Sequence, residues 1–244
     1  MGGRGLAITG RRLAWPDCQN TRDLGGLPLP AGGFTRTGVL VRSDSIAHLT
    51  PAGRQAMTAY GVTTVIDLRT DAELQRAPNP CADSAGPEYR HVPLIDDSMM
   101  LGLSEASGMF EKYLWMVDGR PEAFRAIFEA VASADGAAVF HCLAGKDRTG
   151  LVAAMLLSLT GVPDDAIASD FAETDSQLAL RYEEWIAAAA PERRAEMREE
   201  FQCPPDRILG VLDHLQKGWG GVHGYLEAAG VSPTTIDRLG AKLA

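Results

Sequence analysis

Long apolar runs are missing from this chain. The longest greasy stretch, Leu151 to Leu159, falls well short of the roughly 20 residues a membrane-spanning helix needs, so no stable membrane association is expected. An excess of positive charge is missing too: 23 Lys and Arg stand against 32 Asp and Glu, for a formal net charge of −9. That balance argues against non-specific binding to nucleic acid or anionic lipid, while leaving room for a local positive pocket. Cysteine is sparse, with Cys18, Cys81, Cys142 and Cys203 scattered and no C-x-x-C pair. Neither a disulfide framework nor a structural metal site is expected, and the pattern fits a reducing compartment. Arg4, Arg11 and Arg12 open the chain without an apolar segment behind them. A secretory signal is therefore not expected, and the expected location is cytoplasmic, with signal-less secretion left open.

What is present reads as an ordinary globular enzyme. Hydrophobic residues make up 45% and charged residues 23% of 244 positions, enough for one large α/β domain spanning 1–244. Gly and Pro punctuate the first forty residues, and Phe34 to Val41 reads as a strand. Thr50-Pro51 is an N-cap with proline at the first helical position, opening a helix that Gly61 closes. Val62 to Leu68 is a buried strand, and Asp71-Ala72-Glu73 begins a short helical turn. Tyr89 to Leu94 reads as a further strand, and Ile95 to Gly108 as loop. Helices are expected over Met109–Asp118 and Pro121–Ser133, then a strand at Ala137–Phe140 and an apolar helix over Thr149–Thr160. From Asp164 the chain reads as helix, including Glu183–Phe201 and Pro205–Gln216, with Gly218–Gly221 as a linker. Strands alternating with helices, then helices alone, imply a central parallel-rich sheet flanked by helices, with extra C-terminal helices.

The chemistry concentrates in His141-Cys142-Leu143-Ala144-Gly145-Lys146-Asp147-Arg148-Thr149-Gly150. Five residues between Cys and Arg can wrap a loop around one phosphate, with backbone N–H groups pointing inward and a helix N-terminus behind them. Gly145 permits the backbone such a cradle needs, and Arg148 can hold two phosphate oxygens through its planar fork. The same field favours a Cys142 thiolate over the free thiol, whose ordinary pKa is about 8.5. Attack on phosphorus would give a phosphocysteine that water hydrolyses. Thr149 can donate to the departing sulfur, and His141 fixes the loop through hydrogen bonds. A nucleotide-binding P-loop does not fit, because no glycine stands five residues before Gly145 and Asp147 replaces the magnesium-binding Ser or Thr.

The H-C-x-x-G-K-D-R-T-G run resembles the signature of bacterial tyrosine/serine phosphatases similar to mycobacterial tyrosine phosphatase B, relatives of the dual-specificity phosphatases. The likeness extends to Asn20-Thr21-Arg22-Asp23-Leu24-Gly25-Gly26, to Arg42-Ser43-Asp44, to Gly61 through Arg69, and to the tail Gly221–Leu239. The resemblance implies a protein-tyrosine-phosphatase-like fold and phosphotyrosine hydrolysis without metal or cofactor. It extends to phosphoserine, phosphothreonine or phosphoinositide substrates, the last because Lys146 adds a second cation to the loop. Helical lids occur in such enzymes, and the charge-rich segment within 181–216 is the candidate for one.

The proton donor is less legible. Trp15-Pro16-Asp17 spells the acid loop of larger tyrosine phosphatases but lies too far upstream. Asp147, inside the loop, and Asp67, at the end of a strand expected beside the Cys strand, are the leading candidates. Asp96 and Asp97 follow them. Arg22, Asp23 and Arg69 are expected to form a buried ion network under the loop. Two other readings stay open at this point: a phosphate-binding pseudophosphatase that lacks an acid, and a rhodanese-type sulfurtransferase, which the Arg-Thr-Gly continuation disfavours.

Overall fold

The structure, a computed structural model, describes residues 10–82, 85–99, 102–103 and 106–244. The expectations for Arg4 and for part of the Ile95–Gly108 loop lie outside the described residues. The described strands are β1 (Arg22–Asp23), β2 (Leu40–Ser43), β3 (Val62–Asp67), β4 (Glu88–His91) and β5 (Ala137–His141), with the β-branched and apolar residues concentrated in β3 and β5. They pair in the order β1-β2-β5-β3-β4, all parallel except the antiparallel edge strand β1. The register sets Ser43 beside His141, His141 beside Asp67 and Asp67 beside His91. This row is the carboxyl edge of the sheet, where α/β folds bind ligands.

Side chains alternate along each strand, so the sheet has two covered faces. Val41, Val65 and Val139 join Trp15 and Met57 in a smaller core. Leu40, Ile66, Ala138 and Phe140 enter the larger one. The smaller core is covered by α1 (Pro51–Ala59), whose Thr50 hydroxyl accepts from Gly53 N. Then follow α2 (Asp71–Arg76), α3 (Met109–Gly119), α4 (Pro121–Ala132), α5 (Asp147–Leu159), α6 (Asp164–Ala188), α7 (Arg194–Phe201), α8 (Pro205–Trp219), α9 (Val222–Ala228) and α10 (Pro233–Leu243). Every residue of α5 from Thr149 to Leu157 is buried, as expected of a helix that is apolar all round. It carries the Cys142–Lys146 loop on its N-terminus and is gripped by the sheet on one side and by α6, α8 and α10 on others.

The differences from the sequence reading have local causes. The strand expected from Phe34 begins only at Leu40, because Gly38 takes a positive φ of 75° and interrupts extended pairing. The strand from Tyr89 stops at His91, before Pro93, which has no N–H to give the ladder. The helix expected over Glu183–Phe201 is instead the end of α6, a 3-10 turn at Pro191–Arg193, and α7. Pro191 keeps Ala190 out of the helical region and breaks the run. Gly218–Gly221 is no linker: α8 runs to Trp219, and Gly220 in the left-handed region caps it directly before α9.

Candidate active site

Residues 142–146 leave the end of β5 and turn back into α5. The turn holds its shape because its carbonyls are tied outward. Ser45 N donates to Leu143 O at 2.9 Å. The Asn20 amide donates to Ala144 O and Gly145 O at 3.0 and 3.1 Å, and Arg42 donates to Gly145 O at 2.8 Å. With those oxygens turned away, the N–H groups of residues 143–146 find no acceptor among the described residues. The first N–H groups of α5 add to this ring of donors. Gly145 is required twice over: its φ is +67°, and a Cβ there would sit 2.5 Å from Asp44 N and Ser43 O.

Cys142, the first residue of this turn, is 2% exposed. Arg148 follows on the first turn of α5, and both of its terminal nitrogens are held by Glu73, Nη1 to Oε2 at 2.6 Å and Nη2 to Oε1 at 2.7 Å. Burial works against the Arg148 charge, but Glu73, Cys142 and Asp147 outweigh it and keep the guanidinium firmly protonated. Glu73 in turn accepts from Thr70 N at 2.8 Å in the capping box that starts α2. Burial would raise its carboxyl pKa; the Arg148 partner more than reverses this and lowers it.

The named carboxylates occupy different places. Asp147 lines the cavity in front of the loop and accepts from the Tyr113 hydroxyl at 2.6 Å. Asp67 has no exposed surface. It sits behind the loop, accepting from Arg69 at 2.8 Å and Asn79 at 2.9 Å, with His141 Nε2 at 3.3 Å. Burial disfavours its charge, yet His141 and Arg69 hold its pKa well below the usual carboxylate range. Asp96 pairs with Ser98 and Arg120, and Asp97 caps Ala72 N; neither lines the cavity. Asp17 is exposed in a turn, and Trp15 belongs to the smaller core.

The single network expected of Arg22, Asp23 and Arg69 is three separate ones. Arg69 serves Asp67. Asp23 accepts from the amides of Gly25 and Gly38, both at 2.6 Å. Arg22 joins Arg11 and Arg42 around Asp170 of α6.

A cavity of about 350 Å³ opens over the loop. Lys146, Asp147 and Arg148 line it together with Lys112, Arg193 and Glu200, and its less polar lining includes Met109 and Met116 of α3, Tyr182 and Trp185 of α6 and Phe201 of α7. Phe201 stacks on Tyr182 with ring centroids 4.4 Å apart and meets Trp185 at 5.8 Å. Lys146 is 3% exposed; its ammonium donates to the Glu200 carbonyl and lies 3.4 Å from Asp147. Lys112 pairs with the Glu200 side chain at 2.6 Å. Thr149 Oγ1, on the first turn of α5, is buried and unpartnered among the described residues. The arrangement can seat a tetrahedral anion at the helix N-terminus beside a sulfur, with a carboxyl group at its edge.

Residues 13–244 match the family model described as the tyrosine phosphatase family. The chain belongs to that family. A tyrosine-protein phosphatase of Nostoc commune is 34% identical, with 88% of this chain and 75% of the relative covered. A putative tyrosine-protein phosphatase of Cupriavidus necator is 28% identical over 91% of this chain and 86% of the relative. The triple specificity protein phosphatase PtpB of Mycobacterium tuberculosis is also 28% identical, over 84% and 90%. The fold expected from the sequence and its tyrosine phosphatase assignment therefore stand. No helix among the described residues is long and apolar enough to cross a membrane.

Several site residues escaped the sequence reading. Glu73 was legible only as a helix start, Asn20 only as part of a motif, and Tyr113 and the aromatic wall carry no local signature. Glu73 yields a prediction. If it orients Arg148, Glu73→Gln loosens the fork and lowers kcat/KM for p-nitrophenyl phosphate by about tenfold to a hundredfold, the scale of a misplaced catalytic group. A rise in activity would mean that Glu73 instead competes with the substrate for the guanidinium.

Proposed function

We propose that this family member hydrolyses phosphate monoesters through Cys142, with aryl phosphates such as phosphotyrosine as its preferred substrates. The observation that carries the reading is the run of unpaired N–H groups at residues 143–146, between the buried Cys142 and Arg148. Phosphoryl oxygens fill those donors, and charge developing on them in the transition state is met by groups already in place. The Cys142 thiolate attacks phosphorus and the ester P–O bond breaks. The leaving oxygen takes the proton of Asp147, the candidate carboxyl that lines the cavity. Water then attacks the phosphocysteine and gives a proton back to Asp147. The P–S bond breaks, phosphate departs, and the free hydroxyl of Thr149 donates to the returning thiolate. Asp67 acts beneath the loop, holding His141, whose Nδ1 lies 3.1 Å from the Cys142 carbonyl.

The substrate class follows from the walls. Tyr182, Trp185, Phe201, Met109 and Met116 suit an aromatic ring between phosphate and peptide. Lys146 is committed to Glu200 and Asp147, so it lends less to a phosphoinositide than the sequence suggests. The 3-10 turn and α7, within the segment 181–216, act as a cover over the cavity. The test is a panel of p-nitrophenyl phosphate, phosphotyrosine, phosphoserine and phosphothreonine peptides and phosphoinositides, each with excess EDTA. Turnover in EDTA with kcat/KM highest for phosphotyrosine is expected; loss of activity in EDTA, or a preference for the lipid, contradicts the proposal.

A further inference from the structure

The Asp147 carboxyl has two oxygens in unequal surroundings. Oδ1 accepts from Tyr113 at 2.6 Å and is the oxygen facing the Lys146 ammonium at 3.4 Å. Oδ2 has no hydrogen-bond partner among the described residues, and the Asp147 side chain is 31% exposed at the cavity. Tyr113 is itself fixed. It is fully buried in α3, with Phe171 packed edge-on at 6.2 Å and 89°. Burial and the neighbouring Asp147 push its phenol well above the ordinary value, so it keeps its proton and remains a donor. The other phenol near Asp147, Tyr182, is buried with its hydroxyl unpartnered among the described residues, and so does not compete for Oδ1.

We infer that Tyr113 is a positioning residue for the proton donor. Its hydroxyl occupies Oδ1 together with Lys146, so the acid proton of Asp147 resides on Oδ2, the oxygen left to face the leaving group. This inference rests on the reading of Asp147 as the general acid. A carboxyl that presents the wrong oxygen, or that swings freely, transfers its proton less often from a productive geometry. The defect is felt most where the leaving oxygen most needs protonation. Phenol leaves poorly as an anion, whereas p-nitrophenol leaves readily without help.

The experiment compares phenyl phosphate with p-nitrophenyl phosphate in Tyr113→Phe, Asp147→Asn and the double variant. Tyr113→Phe keeps the ring and removes one oxygen. It is expected to lower kcat/KM for phenyl phosphate about tenfold, part of the 10²–10⁴ that a positioned acid supplies. The nitrophenyl ester should stay within about twofold, and competitive inhibition by inorganic phosphate should be unchanged, which certifies an intact loop. In the Asp147→Asn background, the Tyr113 substitution should add no further leaving-group selectivity. Equal losses on both esters, no loss on either, or a further selective loss in the double variant would overturn the inference. If Asp147→Asn shows no selectivity, the general-acid reading itself fails. If it does and Tyr113→Phe does not, only the role of Tyr113 fails.

Discussion

Replacing Cys142 with serine is expected to remove turnover, by a factor on the order of 10⁵ to 10⁶, the scale seen when a covalent nucleophile is lost. Cys142 is buried at the start of the loop that runs into the N-terminus of α5 and Arg148. A helix N-terminus and a guanidinium can serve a thiol nucleophile but cannot activate an alcohol, whose proton is far more tightly bound. In the proposed mechanism the donors to phosphate are the backbone N–H groups of residues 143–146 and Arg148, and the substitution touches none of them. Cys142→Ser should therefore bind a phosphotyrosine peptide with nearly wild-type affinity while releasing no phosphate. Calorimetry gives the affinity and a phosphate-release assay the turnover. Appreciable activity in the variant would contradict the proposed nucleophile.

The second large effect is on stability. Asp170 is buried on α6 and receives Arg11 at 2.7 Å, Arg22 at 3.0 Å and Arg42 at 2.6 Å. Asp170→Asn leaves these guanidinium groups clustered around a neutral amide, with the part-exposed Glu173 the remaining carboxylate paired with them among the described residues. Arg22 already feels this crowding: burial and the Arg42 charge lower it to about 10 even with Asp170 present. Breaking a buried ion cluster from one side costs about 3–5 kcal/mol. At roughly 2–4 °C per kcal/mol for a chain of this size, Tm should fall by about 6–20 °C. Because Arg42 also holds Gly145 O, inorganic phosphate should inhibit the variant less well. A Tm within about 1 °C of wild type would contradict this account of the cluster.

The same cluster sets a pH dependence. Burial alone would raise the Asp170 pKa, but Arg22, Arg42 and Arg11 hold it far below the usual range. A depressed folded-state pKa adds stability that is complete above the unfolded value, about 3.9, and fades as pH falls below it. Wild-type Tm should therefore drop on acidification below about pH 4. Asp170→Asn, having no such carboxylate, should show a shallower drop.

The Cys142 loop was legible as a candidate site because the residues that mark it lie within ten consecutive positions, from His141 to Gly150. Cysteine, glycine, arginine and helix start can all be recognised without knowing what packs on them. The parallel sheet was readable from β-branched runs such as Val62 to Leu68. The Asp170 cluster was not, since its arginines stand 128 to 159 residues away in sequence and come from β1, β2 and the segment before β1 to meet one residue of α6. Glu73 shows the same limit: its helix cap is local, but its contact with Arg148 spans 75 residues. Asp67 illustrates a subtler one. Its strand does end at the carboxyl edge beside His141, as the sequence suggests, yet the side chain turns beneath the loop toward Arg69 and Asn79. Strand order places a residue at an edge without fixing which side of the loop it serves.

The most direct test of the central claim is to trap the intermediate. Wild-type protein turning over a phosphotyrosine peptide in EDTA is quenched in acid, and its peptides are mapped by mass spectrometry. The account predicts one phosphoryl group, on the peptide containing Cys142 and attached to sulfur, and absent from Cys142→Ser. A phosphoryl group on another residue, or rapid turnover with no phosphoenzyme under single-turnover quenching, would contradict it.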